Sequence, residues 1–254
     1  MTNLVEAIGF SLMSLADFED GELALRVLRR LKKTPTELQP LKFGIHEPLD
    51  QRINCSDLEP VLSVWPNSTA NAREKGEPRE AILLLEGSSG VGYMINWHKS
   101  KTPSFSAVDG HAPLGLLKNK RGILGEFFDL FKDLAVAVDA VYGDIRNMSL
   151  KGWDLPFDLV RRLPDVPWVS IYGPPYVSMF GRERILSAPF LKIEEIGSSH
   201  LWLQASESVF DSVAEETRAA IREHLGAEAF MSKGRWRYSD GKAPAFDFSR
   251  VLLP

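Results

Sequence analysis

Apolar residues recur along the chain with two periods, one typical of helices and one typical of strands. A helical period predicts a helix that Asp20 caps and that ends before Pro35, and two longer helices over residues 122–142 and 208–225. A short helix over 174–180 follows a proline pair. Alternating or continuous apolar runs predict strands at 4–14, 41–46, 81–85, 91–97, 168–172, 190–196 and 201–205.

The order of these elements indicates the fold class. From residue 168 the order is strand, helix, strand, strand, helix, with a last strand predicted at 234–238. This is the split β-α-β order of ferredoxin-like folds, and the first half repeats much of it. We therefore expect an α+β fold of two related ferredoxin-like halves, whose mainly antiparallel sheets are each covered by helices. Residues 1–148, with an irregular excursion at 48–78, form the first half and residues 149–254 the second, together one compact unit.

The net charge and the cysteine content limit the kinds of partner and the cellular compartment that we expect for this protein. The 254 residues include 30 Lys and Arg against 34 Asp and Glu, a net charge of -4. This balance is too weak to attract phosphate backbones or anionic lipid, so we expect no nucleic-acid partner and no membrane contact. The single cysteine excludes an intramolecular disulfide, and the first basic residue, Arg26, comes too late for a secretory signal. We expect a cytoplasmic protein.

Asp109 and His111, with His98 thirteen residues before the latter, are the nearest approach to a metal site. Carboxylate and imidazole groups bind divalent metals, so these three residues define one alternative function, a metal-dependent hydrolase. Further ligands would have to come from elsewhere, and the polarity of a loop explains the cluster equally well. We predict that the chain holds no metal and no cofactor, and that it has no catalytic residues.

The segment 163–206 carries a more specific pattern. A strand containing Trp168 leads to Gly173-Pro174-Pro175-Tyr176, then to Phe180-Gly181, and a hairpin follows. This pattern resembles the C-terminal half of bacterial immunity proteins encoded beside type VI secretion or polymorphic toxins, most nearly the immunity protein 52 family. The segments 42–48 and 141–143 fit the same resemblance.

The resemblance implies a function without catalysis. An immunity protein of this kind binds its cognate toxin, expected here one to one, and occludes the toxin's active site. Within the motif of Trp168, Gly173, Tyr176 and Gly181, the two aromatic residues are expected to anchor the short helix against the sheet. Gly181 would let the chain reverse. An interaction module unrelated to toxins is the remaining alternative.

Five residues around this motif are our prediction for the partner-binding surface. A turn beside a short helix is expected to be exposed, and this one combines aromatic with charged side chains. The predicted residues are Tyr172, Tyr176, Arg182, Glu183 and Arg184.

Overall fold

A computed structural model gives the fold and describes residues 6–54, 57–65, 79–150, 158–231 and 241–253. The strands in these ranges are β1 (Ala7–Ser14), β2 (Pro40–Gly44), β3 (Gln51–Arg52), β4 (Arg79–Gly87), β5 (Gly92–Lys99), β6 (Ser106–Pro113), β7 (Ala140–Asn147), β8 (Val169–Tyr172), β9 (Lys192–Ile196) and β10 (His200–Gln204). The helices are α1 (Gly21–Lys33), α2 (Glu59–Val64), α3 (Leu114–Asn119), α4 (Ile123–Ala137), α5 (Pro174–Phe180), α6 (Arg182–Leu186) and α7 (Glu215–Leu225), and a 3-10 turn covers Ala227–Ala229.

The ten described strands belong to one sheet, in the order β3-β2-β4-β5-β6-β1-β7-β8-β10-β9. The predicted α+β class is thereby confirmed, whereas two ferredoxin-like halves with a sheet each are not shown. β10 does lie between β8 and β9, as a split β-α-β unit requires. The strand on the other side of β8 is β7, which precedes the unit in sequence, and the predicted strand 234–238 lies outside the described residues.

The chain divides into two compact units. The N-terminal unit comprises residues 6–140 and 247–253, and the C-terminal unit comprises residues 141–246. The division that we predicted from the sequence lies at residue 148. The division between the compact units falls between Ala140 and Val141, at the start of β7.

The N-terminal unit is an antiparallel sheet with helices packed on one face. Asp20 caps α1 as predicted, because its carboxylate accepts a hydrogen bond from the Glu22 amide at 3.0 Å. The ring of Phe10 on β1 lies 5.3 Å and 5.2 Å from the rings of Phe127 and Phe131 on α4. These contacts place α4 on the face of the sheet to which Phe10 points.

Residues 247–253 return to the N-terminal unit after the chain has built the other one. Ser100 and Leu252 form a parallel β-bridge, and the Ser100 carbonyl accepts a hydrogen bond from the Leu253 amide at 2.9 Å. The ring of Phe248 packs edge-on against Phe105 at 5.2 Å, and Val251 is buried. The end of the described chain is therefore part of the core built by its beginning.

The core of the C-terminal unit is aromatic. Tyr142 and Tyr172 are direct neighbours on β7 and β8, and Tyr176 on α5 packs against both at 6.0 Å and 5.6 Å. Phe180 stacks on Tyr172 at 5.6 Å, so the short helix lies against the sheet through its aromatic side chains.

Three sequence-based element predictions in the described ranges need correction. The loop predicted around Asp109 and His111 contains instead the strand β6, which lies between β5 and β1. The helix predicted over 122–142 ends at Ala137, and the residues that follow form β7. The helix predicted to begin at Ser208 begins at Glu215. None of the helices in the described part of the chain combines the length and apolar character needed to cross a bilayer.

Candidate functional site

The three residues of the suggested metal site do not converge. Asp109 and His111 lie two positions apart on β6, opposite Met94 and Gly92 of β5. His98 lies four positions beyond Met94 on β5, which is about 13 Å along the strand. A shared ion would need its ligands within about 2–3 Å, and no group of three potential metal ligands occurs among the described residues. Asp109, His111 and His98 therefore do not form a joint ligand set in the described part of the chain.

Each of these side chains instead has local contacts within the sheet. Ser11 donates a hydrogen bond to one carboxylate oxygen of Asp109, and the amide of Asn96 donates to the other at 3.4 Å. His98 lies 3.6 Å from the carboxylate of Glu80. The imidazole of His111 covers Gly92, where an added Cβ would come within 2.4 Å of the ring, and burial lowers the pKa of His111.

The two tyrosines of the predicted partner-binding surface are buried, so the expectation that they are exposed is wrong. Tyr172 and Tyr176 are 2% and 0% exposed. The hydroxyl of Tyr176 donates to the Leu159 carbonyl at 3.4 Å, and its ring packs edge-on against Phe246. Both side chains form the aromatic core, because a strand end and the inner side of a short helix meet there.

The three charged residues of the same prediction, on α6, are exposed. Arg182 forms an ion pair with Glu195 of β9. Arg184 donates from Nε to the His224 carbonyl at 2.7 Å, which ties α6 to the end of α7. Both arginines are thus engaged within the chain. Glu183 is exposed and makes no ion pair within the described ranges.

The structural motif has a clear physical basis. Trp168 is buried, donates from its indole nitrogen to the Ser206 carbonyl at 2.8 Å, and packs edge-on against Trp202. Gly173 precedes the first turn of α5, whose Tyr176 faces the core. Gly181 ends α5 and begins α6 with φ 83 and ψ 127, a backbone conformation that glycine adopts readily.

A different surface, missed from the sequence, has the character of a binding site. Strands β4, β5, β6 and β1 of the N-terminal unit pair in register, so their outward side chains form rows across the sheet. We call this the open face. It consists of the row Leu84, Met94, Asp109 and Ser11, the row Ile82, Asn96, Ala107 and Met13, and the flanking residues Glu80, Glu86, His98 and His111.

Apart from Ala107, which is buried, the side chains of the open face are accessible, whereas their neighbours along each strand are buried. On β4, Ile82 is 45% exposed and Leu84 is half-buried, while Ala81, Leu83 and Leu85 are buried. The open face thus combines aliphatic and thioether groups with the hydrogen-bonded polar group of Ser11, Asp109 and Asn96 and with further polar side chains at its margins. Protein–protein interfaces likewise combine apolar and polar groups on one surface.

The sequence contains little signal for the open face. Residues 81–85 are all apolar, so the alternation on β4 is hidden in a continuous run. On β5 and β6, accessible and buried side chains alternate, but this pattern can be recognised only if both segments are already known to be strands. The glycine and proline in β6 argue against a strand there.

Comparisons with known proteins find a solved structure of similar fold and do not identify an activity for this chain. No protein-family model matches the sequence, and no curated protein matches it. The solved structure of the Pseudomonas aeruginosa T6SS protein PA0821 is similar, with a TM-score of 0.50 and 13% sequence identity. The match covers 87% of this chain and 76% of that one, and at this identity the likeness is one of fold alone.

Proposed function

We propose that this chain is an immunity protein, related to the immunity protein 52 family, that binds a cognate bacterial toxin one to one and occludes its active site. In this proposal the chain performs no catalysis and needs no cofactor, and it acts in the cytoplasm. Its contact partner is a protein rather than a nucleic acid or a membrane. The open face carries the proposal, because it offers an accessible, mixed apolar and polar sheet surface of the kind that binds proteins.

Two further observations support this proposal. The candidate catalytic residues Asp109, His111 and His98 are held apart on their strands, which favours a binding role over metal-assisted hydrolysis. The fold resembles that of a T6SS protein, which agrees with the resemblance of the segment 163–206 to immunity proteins of such systems.

The exposed residues of α6 are a second proposed contact. Glu183 and the two neighbouring arginines present a small charged surface on the C-terminal unit. Since Arg182 and Arg184 are already engaged with Glu195 and His224, their release for a partner would break existing bonds. We therefore assign the larger share of the binding free energy to the open face.

Co-expression tests the proposal. The protein encoded by the reading frame adjacent to this gene is expressed under an inducible promoter, with and without the chain. We expect the neighbour alone to stop growth and the chain to restore it. The purified pair should then elute as a one-to-one complex. Growth arrest that the chain does not relieve, or two proteins that elute separately, would refute the proposal.

A loss of toxicity has to be separated from poor expression of the toxin. A variant of the chain with Ile82→Lys on the open face serves for this purpose, because it alters one exposed side chain only. Equal toxin levels with restored growth for the native chain and reduced protection for the variant would support binding as the cause.

A further inference from the structure

The helical layer of the N-terminal unit presents two stripes of opposite charge. On α1, Arg26, Arg29 and Lys33 are exposed; they follow the helical repeat and point away from the buried residues Val27 and Leu31. We call these three cations the basic stripe. On α4, the exposed residues Glu126, Asp129 and Asp133 form the acidic stripe.

The two helices lie side by side and antiparallel. Arg26 donates from Nε to the Ala137 carbonyl at 3.4 Å, and Arg30 pairs with Asp133 at 3.1 Å. From Arg26 to Arg30 the contact moves four residues forward on α1, and from Ala137 to Asp133 it moves four residues backward on α4. Continuing this register places Lys33 at the level of Asp129.

Most of the charge in the two stripes is not used within the chain. Arg29 and Lys33 make no ion pair in the described ranges, and neither do Glu126 and Asp129. Within the described part of the chain, Arg26 is linked to α4 only through the Ala137 carbonyl, and Asp133 pairs with Arg30, an exposed pair of the kind that contributes little to stability. Two adjacent stripes of opposite sign therefore remain available at the surface.

A surface of this kind is complementary to itself. Consider a twofold axis that runs parallel to the helix pair, above the midline between α1 and α4. This axis places α1 of one copy opposite α4 of the other copy, and α4 opposite α1. Because the axis preserves the level along the helices, Lys33 then faces the Asp129 position of the second copy. Arg29 faces the Asp133 position in the same way. Val136, which is 43% exposed, adds an apolar contact to the same face.

We infer that the α1–α4 face is a homodimer interface, in which the basic stripe of one copy contacts the acidic stripe of the other. This inference goes beyond the proposed function and does not depend on it. A second copy is favoured over an unrelated partner because both signs of charge occur on one face in matching register. Opposite charges across an interface mainly increase the association rate and fix the orientation, so the dimer should be sensitive to salt.

Analytical ultracentrifugation of the full chain tests the inference. At about 20 mM salt we expect a monomer–dimer equilibrium that shifts at least 10-fold toward monomer at about 0.5 M salt, where charges are screened over a few ångströms. A chain that stays monomeric at high protein concentration and low salt would overturn it.

Charge reversal gives a sharper test. The variant R29E/K33E gives both stripes a net negative charge, and the variant D129K/D133K gives both a net positive charge, so each alone should be monomeric. An equimolar mixture of the two should restore the dimer as a mixed species, because every facing pair is again of opposite sign. Dimerisation of either variant alone, or no association in the mixture, would contradict the proposed contact.

A matched control addresses net charge and folding. The variant K42E/K101E makes the same change in net charge at two exposed lysines outside the α1–α4 face, and it should dimerise like the native chain. Thermal unfolding of all variants shows that they are folded. If the control loses the dimer as well, net charge rather than the stripes is responsible, and the inference fails.

Discussion

The hydroxyl of Tyr142 donates a hydrogen bond to the carboxylate of Asp144, two residues further along β7, at 3.0 Å. Arg146, two residues further again, forms an ion pair with the same carboxylate. Their side chains lie on one face of the strand, with that of Asp144 2% exposed and that of Arg146 18% exposed. Burial and the charge of Asp144 both raise the pKa of Tyr142. For Arg146, burial lowers the pKa, but the charge interactions and hydrogen bonds with Asp144 and Tyr142 together outweigh burial, and the net pKa is raised.

We expect Asp144→Ala to destabilise the protein by about 3–5 kcal/mol, because it leaves a largely buried guanidinium without this carboxylate. Tyr142→Phe should have a smaller effect of about 1 kcal/mol, since it removes one hydrogen bond. Urea unfolding at neutral pH measures both. Glu207→Ala, at an exposed acid of the same unit, is the control and should leave the unfolding midpoint unchanged. An equal midpoint for Asp144→Ala would show that the ion pair does not stabilise the fold.

Stability should fall steeply at alkaline pH. Burial raises the pKa of four tyrosines above the ordinary value of 10.0, namely Tyr93, Tyr142, Tyr172 and Tyr176. Their contribution is complete below pH 10 and is lost as pH rises from there toward their folded-state pKa values, because the unfolded chain then binds fewer protons. Tyrosinate absorbance and circular dichroism, recorded together against pH, should change in one transition. Ionisation of these tyrosines in a chain that stays folded would contradict this.

Two glycine substitutions should change stability in opposite directions. A Cβ on Gly110 of β6 would lie 2.4 Å from the ring of Phe10, so Gly110→Ala should destabilise by about 1–3 kcal/mol. Gly125 lies exposed inside α4 with no atom near its Cβ position, so Gly125→Ala should stabilise by roughly 0.5–1 kcal/mol. Thermal unfolding compares the two. A stability of Gly110→Ala equal to that of the native chain would contradict the clash with Phe10, and destabilisation by Gly125→Ala would contradict the open space at that site.

A lysine at an exposed apolar position of the open face should weaken toxin binding. Ile82→Lys introduces a charge into the proposed apolar contact and should reduce affinity at least 10-fold, measured by calorimetry with the protein of the adjacent reading frame. Leu191→Lys makes the same kind of change at a 53% exposed leucine of the C-terminal unit and should have little effect. If Leu191→Lys weakened binding and Ile82→Lys did not, the toxin would bind the C-terminal unit instead of the open face.

Local signals predicted the elements that are amphipathic and clearly bounded. The helix α1 is confirmed because Asp20 caps it and because its apolar residues lie on one face. The turn between β4 and β5 contains Gly90 with φ 73, and the hairpin is found where its glycines indicated. Pro174 begins α5 and Gly181 follows it, as expected from their roles at helix ends.

Central strands were missed because their pairing partners, rather than their own residues, determine them. β6 contains Gly110 and ends with Pro113, yet it pairs with β5 on one side and β1 on the other. β7 is buried on both faces and begins with apolar residues at 140–142, which continue the helical pattern of α4 without a visible break. Only Asp139, with φ 49, marks the change of direction between α4 and β7.

The return of residues 247–253 to Ser100 has a consequence for synthesis. The N-terminal unit is incomplete while only residues 6–140 have left the ribosome, because the buried Val251 and the ring contact of Phe248 with Phe105 are still missing. The intervening stretch of more than a hundred residues must be translated first, which at cellular rates delays closure by roughly 5–20 s. The two units therefore mature together, and a chain truncated before residue 247 should be a substrate for proteases even though most of its sheet is present.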